Sequence, residues 1–398
     1  MAQAELVLET AQERTITVQV VASPLPPSVP PPAPPHQRLL SLDALRGFTM
    51  FWIIGGSEVV IAITGYVHPP LADPVETQLY HAKWNGFTVL DLVMPLFLFV
   101  VGAAMPLALT KRVEPGQSLG PVYWRIARRV AALWLLGVIY QFLRQLADDR
   151  PFITLELYSN TLQAIAVGYL VTSLALLHLR VAGQIVLTVA LLLGYWALLV
   201  FIPFGGHPAG TLERTANFAR YVDENVLDVF RRDHSFTWVV TSLGFSASVL
   251  MGAMAGHLLK ARLPAPRRLL FLVLLGLGCL AGGWIWSYSH PLNRHLWTSS
   301  MILWAGGWSF LLLALFHAVI DVARVRGWAY PFIVIGTNAL LAYVLVPLLD
   351  WRISWFKKWV LPADVPAPYV DLLAPTCEVV VLWLLLWLLY RRQWFLRA

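Results

Sequence analysis

Ten stretches of this chain are apolar over close to the roughly 20 residues needed to cross the hydrocarbon core of a bilayer. They fall at about 46–66, 88–110, 126–144, 161–179, 184–203, 238–260, 268–288, 297–320, 330–350 and 376–391. No other feature constrains the fold as much. Backbone amides in lipid must be satisfied within the segment itself, which leaves the α-helix for runs of this length. Whole-chain composition agrees: 58% hydrophobic residues, 13% charged residues and a mean hydropathy of +0.65, against about 45–50% apolar and about 25% charged in soluble domains. The fold expected is all-α, a polytopic transmembrane helix bundle of about ten spans.

Ten spans put both ends of the chain on one side. With that alternation, 18 of the 29 Lys and Arg residues fall on the terminal side and 11 on the other, while the acidic residues divide 6 and 16. The positive-inside rule then places both termini in the cytoplasm. The short connections carry this argument, because a loop as long as 204–237 crosses regardless of its charge. The formal charge of +7 is accordingly a topology signal. Nucleic acid is not expected as a partner, since the basic residues do not gather on one face with interleaved aromatics. Cys279 and Cys377, each in or beside an apolar run, provide neither a disulfide framework nor metal-ligand spacing.

Residues 1–37 are a region of their own. Glu5, Glu9 and Glu13 interrupt the start and no apolar core follows, so a signal peptide is not expected. Eight prolines between Pro24 and Pro35 read as a stiff, solvated, disordered cytoplasmic tail. The membrane domain is expected over 38–398.

The densest chemistry lies in HAKWNGFTVLDLVMPLFLFVVG, His81 to Gly102, where a polar segment runs directly into a span. A histidine at the mouth of a membrane helix titrates near neutral pH, and ionisable groups held there are functional candidates. Asp91 lies one turn inside the span, where a carboxylate needs a partner: His81, Arg46 or a backbone amide. Glu58, at the outer end of the first span, either orients the histidine or receives an incoming ammonium. Trp84 either stacks on a sugar or anchors at the interface, and Asn85 either donates to an oxyanion or caps the helix. No H-x-x-x-H or H-E-x-x-H spacing, Walker loop or nucleophile elbow is present, so no metal is expected.

The order of motifs resembles the lysosomal heparan-α-glucosaminide N-acetyltransferase family and its bacterial relatives. The likeness runs through RLLSLDALRGFTMFWIIGG, the His81–Gly102 block, NTLQAIAVGYL around Gln163, and HSFTWVVTSLGFSASVLMGAMAGHLL from His234. It closes with PLNRHLWTSS from Pro291 and PFIVIGTNALLAYV from Pro331. The resemblance implies an acetyl-CoA-dependent N-acetyltransferase that takes acetyl on the cytoplasmic side and delivers it to the amine of a glucosamine-type sugar on the other. His81 matches the family's active histidine in its H-A-x-W-N-G setting. Where lysosomal members carry an asparagine at the outer end of the first span, this chain has GGSEVV, with Ser57 and Glu58. Catalytic roles then fall to His81, Glu58 and Asp91, and contact with the acceptor to Trp84, Asn85, Asn293 and Trp297. CoA phosphates call for cations, so Arg46, Arg125, Arg128, Arg129, Lys260 and Arg262 are candidates by location, with Asn338 on the pantetheine path or joining two helices.

The protein is expected in a bacterial inner membrane, with its acceptor site facing the periplasm or exterior. Its partners are the lipid bilayer and an aminosugar or glycan. A homodimer is allowed, though no residue argues for one. Two alternatives stand beside this reading: O-acylation of a surface glycan, and a proton-coupled amino-sugar transporter in which His81 and Asp91 relay protons.

Overall fold

The computed structural model describes residues 39–109, 118–147, 153–230, 236–347 and 367–395. The proline-rich stretch, His234, Arg231 and Arg232 lie outside the described residues. Among those described, nine helices are long and apolar enough to span a membrane. In chain order they begin with α1 (Leu40–Val67), followed by a short helix α2 (Ala72–Leu79), then α3 (Leu90–Ala108), α4 (Gly120–Ala147), α5 (Thr161–His178) and α6 (Val181–Phe201). A second short helix, α7 (Phe218–Leu227), precedes α8 (Ser242–Lys260), α9 (Ala265–Ser287) and α10 (Ser299–Val322). A pair bent by 68°, α11 (Gly327–Thr337) and α12 (Ala339–Pro347), has the length and composition of a broken span or a re-entrant loop, and α13 (Ala367–Arg391) follows. This is the integral membrane, all-α helix bundle expected.

Two departures from the expected spans matter. First, α1 starts at Leu40, six residues before the apolar run, and so takes in Asp43 and Arg46. These pair with each other at 3.6 Å, three residues apart on one helical face. Second, α1 is broken: Trp52–Gly56 winds as a π-helical turn, and Gly55 takes φ 110°. Only glycine adopts that φ readily, and π turns re-aim side chains, often near functional sites. The turn is followed by Ser57, which is buried, and Glu58, which is exposed.

Small residues let the helices approach closely enough to fix the ends of the bundle. A methyl group built on Gly102 of α3 would lie 1.9 Å from the Val249 carbonyl oxygen of α8, and one on Gly252 of α8 would lie 2.0 Å from the Phe99 carbonyl oxygen of α3. The two backbones therefore touch in both directions. This contact fixes α3, and with it Asp91 at its start, against α8.

Candidate functional site

At one end of the bundle the chain builds a cavity of about 640 Å³. Its walls come from the break in α1 (Trp52, Ile53, Ser57, Glu58), the start of α3 (Asp91, Val93, Met94), the end of α4 (Tyr140, Gln141, Arg144) and the start of α5 (Ser159, Asn160, Thr161). Residues before α8 and α10 (Phe236, Trp238, Arg294, Trp297) and the end of α12 (Tyr343, Val346, Pro347) close it, with His81 at its edge.

Asp91 sits where α3 begins. Its Oδ2 accepts the backbone N–H of Thr88 at 3.1 Å, three residues earlier, in the manner of a capping box. The same oxygen accepts the N–H of Ala82 at 3.3 Å. Its Oδ1 lies 2.8 Å from His81 Nδ1 and 3.1 Å from Arg294 Nε. The carboxylate is fully enclosed, whereas the His81 side chain is 44% exposed. Of the partners weighed for Asp91, His81 and backbone amides are present. Arg46 lies at the other end of α1, next to Asp43.

This arrangement assigns the histidine tautomer. An ionised carboxylate only accepts hydrogen bonds, so Nδ1 carries the hydrogen that reaches Asp91, and in the neutral ring the lone pair is on Nε2. A histidine held this way is oriented as a base.

The segment between α9 and α10 completes the site. Gly86 N–H donates to the Leu292 carbonyl at 2.9 Å, and Asn293 Nδ2 donates to Asn85 Oδ1 at 3.1 Å, which ties this segment to the one carrying His81. Asn293 Oδ1 accepts the amides of His295 and Leu296 at 2.9 and 3.0 Å. Trp297 takes φ 50° and donates Nε1–H to Ser248 Oγ at 3.1 Å. His295 stacks on Trp84, ring centroids 5.2 Å apart, and meets Phe236 at 4.5 Å. Burial in the first place, and then Arg294 and Arg214, push its pKa down to about 4, so it is a neutral ring at physiological pH.

Of the residues singled out in the sequence, His81, Glu58, Asp91 and Trp297 line the cavity together. Trp84, Asn85 and Asn293 lie behind it, with Trp84 Nε1 donating to the Leu212 carbonyl at 3.1 Å. None of the seven cofactor candidates lines it. Arg125 donates Nε–H to the Pro121 carbonyl at 3.2 Å, and Arg129 lies over the Tyr169 ring at 4.5 Å. Arg128 and Arg262 are exposed, and Lys260 is the last residue of α8. Asn338, at the bend between α11 and α12, donates to the Trp394 carbonyl at 2.9 Å.

Sequence reasoning missed Arg294, Arg144 and the aromatic wall of Tyr140 and Tyr343, whose rings stack at 4.5 Å. Arg294 left one signal: it is the sole cation in the short connection between α9 and α10.

A family model described as "Domain of unknown function (DUF5009)" matches residues 38–207. The chain is 27% identical to the heparan-alpha-glucosaminide N-acetyltransferase of Homo sapiens, over 90% of this chain and 59% of that protein. It is 26% identical to the enzyme of the same name from Mus musculus, over 79% and 56%. The resemblance read in the motifs is borne out, and the chain spans somewhat more than half the length of these relatives.

Proposed function

We propose that this chain is a transmembrane acetyltransferase that moves acetyl from acetyl-CoA to the amine of a glucosamine-type sugar, with His81 as its base. The similarity to the two N-acetyltransferases supports the reaction class. One observation carries the site: the 2.8 Å contact from His81 Nδ1 to an enclosed Asp91, which leaves Nε2 free at the edge of a cavity large enough for a sugar.

The chemistry follows from what an amine requires. The acceptor enters as an ammonium, which has no lone pair, and loses one proton to solvent before attack. Its nitrogen then bonds to the thioester carbon and gives up a second proton. His81 Nε2 takes that proton and returns it to sulfur as the C–S bond breaks, leaving amide and free thiol. In the covalent variant the imidazole takes the acetyl group first and passes it on, and the kinetics are ping-pong.

Glu58, whose Oε2 accepts Ser57 Oγ–H at 2.8 Å, is the cavity carboxylate not engaged with His81, and it receives the ammonium. Trp52, Tyr140, Trp238 and Tyr343 offer faces on which a pyranose ring can stack. The donor arrives from the cytoplasmic side in a bacterial inner membrane, as the basic connections suggest, with the acceptor on the periplasmic side.

The test is transfer of labelled acetyl from acetyl-CoA to glucosamine by purified protein in sealed vesicles, donor and acceptor on opposite sides. Labelled product that falls about 10²–10⁴-fold in His81→Ala is expected. Uptake of unmodified sugar without product would overturn this reading in favour of transport. Acetylation confined to hydroxyls would move it to O-acylation.

A further inference from the structure

The enclosed carboxylate of Asp91 serves two cations at once. Its Oδ1 contacts both His81 and Arg294, so the pair familiar as a base and its orienter is here a group of three. Arg294 is itself firmly placed. Its side chain is 16% exposed, its guanidinium lies 4.8 Å over the ring of Phe236, and its Nη2 is 3.5 Å from His295 Nε2. A guanidinium on an aromatic face gains a cation–π attraction that holds it against solvent. Burial pushes the Arg294 pKa down from its ordinary value and Asp91 pushes it back up, yet a guanidinium stays charged throughout the working range.

Charge balance gives the third member a role. A carboxylate alone beside an imidazole favours imidazolium, which has no lone pair and cannot act as a base. Among the described residues, Glu58 on α1 and Arg144 on α4 line the same cavity, Arg214 before α7 acts on the neighbouring His295, Lys83 is two residues along His81's own segment, and His295 is neutral. Among these cations it is Arg294 that pairs with the Asp91 carboxylate.

We propose that Arg294 is a positioning residue for His81. It shares the Asp91 carboxylate with the imidazole through an ion pair and offsets its charge so that the imidazole meets the acceptor as a neutral base. This assignment rests on His81 being the base of the reaction proposed above, but its test does not need that reaction.

Diethyl pyrocarbonate modifies only the neutral imidazole, and peptide mass spectrometry reads His81 separately from the other nine histidines. The full-length protein in detergent is compared at pH 6 with Arg294→Lys, Arg294→Met and Arg294→Gln, alongside thermal melting and acetyl transfer. A neighbouring charge moves an imidazole by about one pH unit, so His81 carbethoxylation is expected to slow about fivefold in Arg294→Met and Arg294→Gln. Arg294→Lys is expected within about twofold of the native rate. Arg294→Gln removes the charge while keeping a polar N–H donor on a shorter stem, so it carries the test if Arg294→Met does not fold. Unchanged or faster modification in the charge-removing variants, or equal slowing in Arg294→Lys, would overturn the assignment. Slow modification in a protein that transfers no acetyl would leave Arg294 in place and remove the acyltransferase reading alone.

Discussion

The two ends of the bundle each hold a histidine on a carboxylate with an arginine beside it, and they do different things with the same parts. At the cavity end, His81 and Asp91 come from separate segments, and His81 Nε2 has no hydrogen-bond partner among the described residues. At the far end, His317 and Asp321 are four residues apart on α10, Nδ1 to Oδ2 at 2.9 Å, with side chains only 3% and 13% exposed. Ser41 of α1 donates to the same Asp321 oxygen, and Arg268 of α9 places Nη1 3.4 Å from His317 Nε2. Both ring nitrogens of His317 are therefore occupied, and three helices are stapled together. Each pair also sits beside a π-helical turn, Trp52–Gly56 in one case and His317–Val322 in the other. Neither the His–Asp pair nor the π turn marks chemistry by itself. What distinguishes the ends is a lone pair that opens on a cavity.

The sharpest way to break this comparison is to delete each histidine in turn. His81→Ala is expected to lower transfer by about 10²–10⁴-fold while the melting temperature moves little, since the ring is half-exposed. His317→Ala takes one partner from Asp321, which keeps Ser41, and one neighbour from Arg268, a loss of about 1–3 kcal/mol, with transfer per folded molecule within about twofold of native. Thermal melting and label transfer on the same preparations read both. If the far-end variant lost transfer without losing stability, the two ends would not differ as argued.

A second substitution sharpens the contrast within the cavity end. Asp91→Asn keeps the shape but offers an amide that can donate to Nδ1, which moves the ring hydrogen to Nε2 and removes the base. A wrong tautomer is a large defect, and about 10²-fold lower transfer is expected, with normal binding of CoA by calorimetry. The equivalent Asp321→Asn is expected to cost stability only. Native transfer in Asp91→Asn would mean that Asp91 serves helix capping alone.

How far the sequence reaches follows the same division. The spans were legible because a bilayer admits one backbone solution for a long apolar run, and His81 and Asp91 were legible because each is an ionisable group at the mouth of one. Arg294 was hidden because it lies 203 residues from Asp91, and tertiary ties such as Gly86 to Leu292 and Asn293 to Asn85 hold its segment beside that of His81. Glu58 could be placed at the end of a span but not turned toward a cavity, because the turn depends on Gly55 at φ 110°. The cofactor candidates share one physical reason for staying undecided. Cations at span ends satisfy the positive-inside rule whether or not they hold phosphate.

The smallest effect comes from a histidine without a hydrogen-bond partner among the described residues. His290, between α9 and α10, is fully buried, and neither ring nitrogen is hydrogen-bonded to any of them. Burial pushes its pKa down to about 4, against about 6.5 in an unfolded chain. The folded protein therefore holds it neutral, and its contribution to stability is complete above about pH 6.5 and is lost as pH falls toward 4, where the unfolded chain binds the proton first. His295 acts in the same direction. His290→Leu removes one of the two, so the drop in melting temperature from pH 7 to pH 5 is expected to shrink by about two degrees. A drop unchanged in His290→Leu would mean that the ring finds a proton acceptor in the folded protein, and the contrast between partnered and unpartnered histidines would fail at its simplest case.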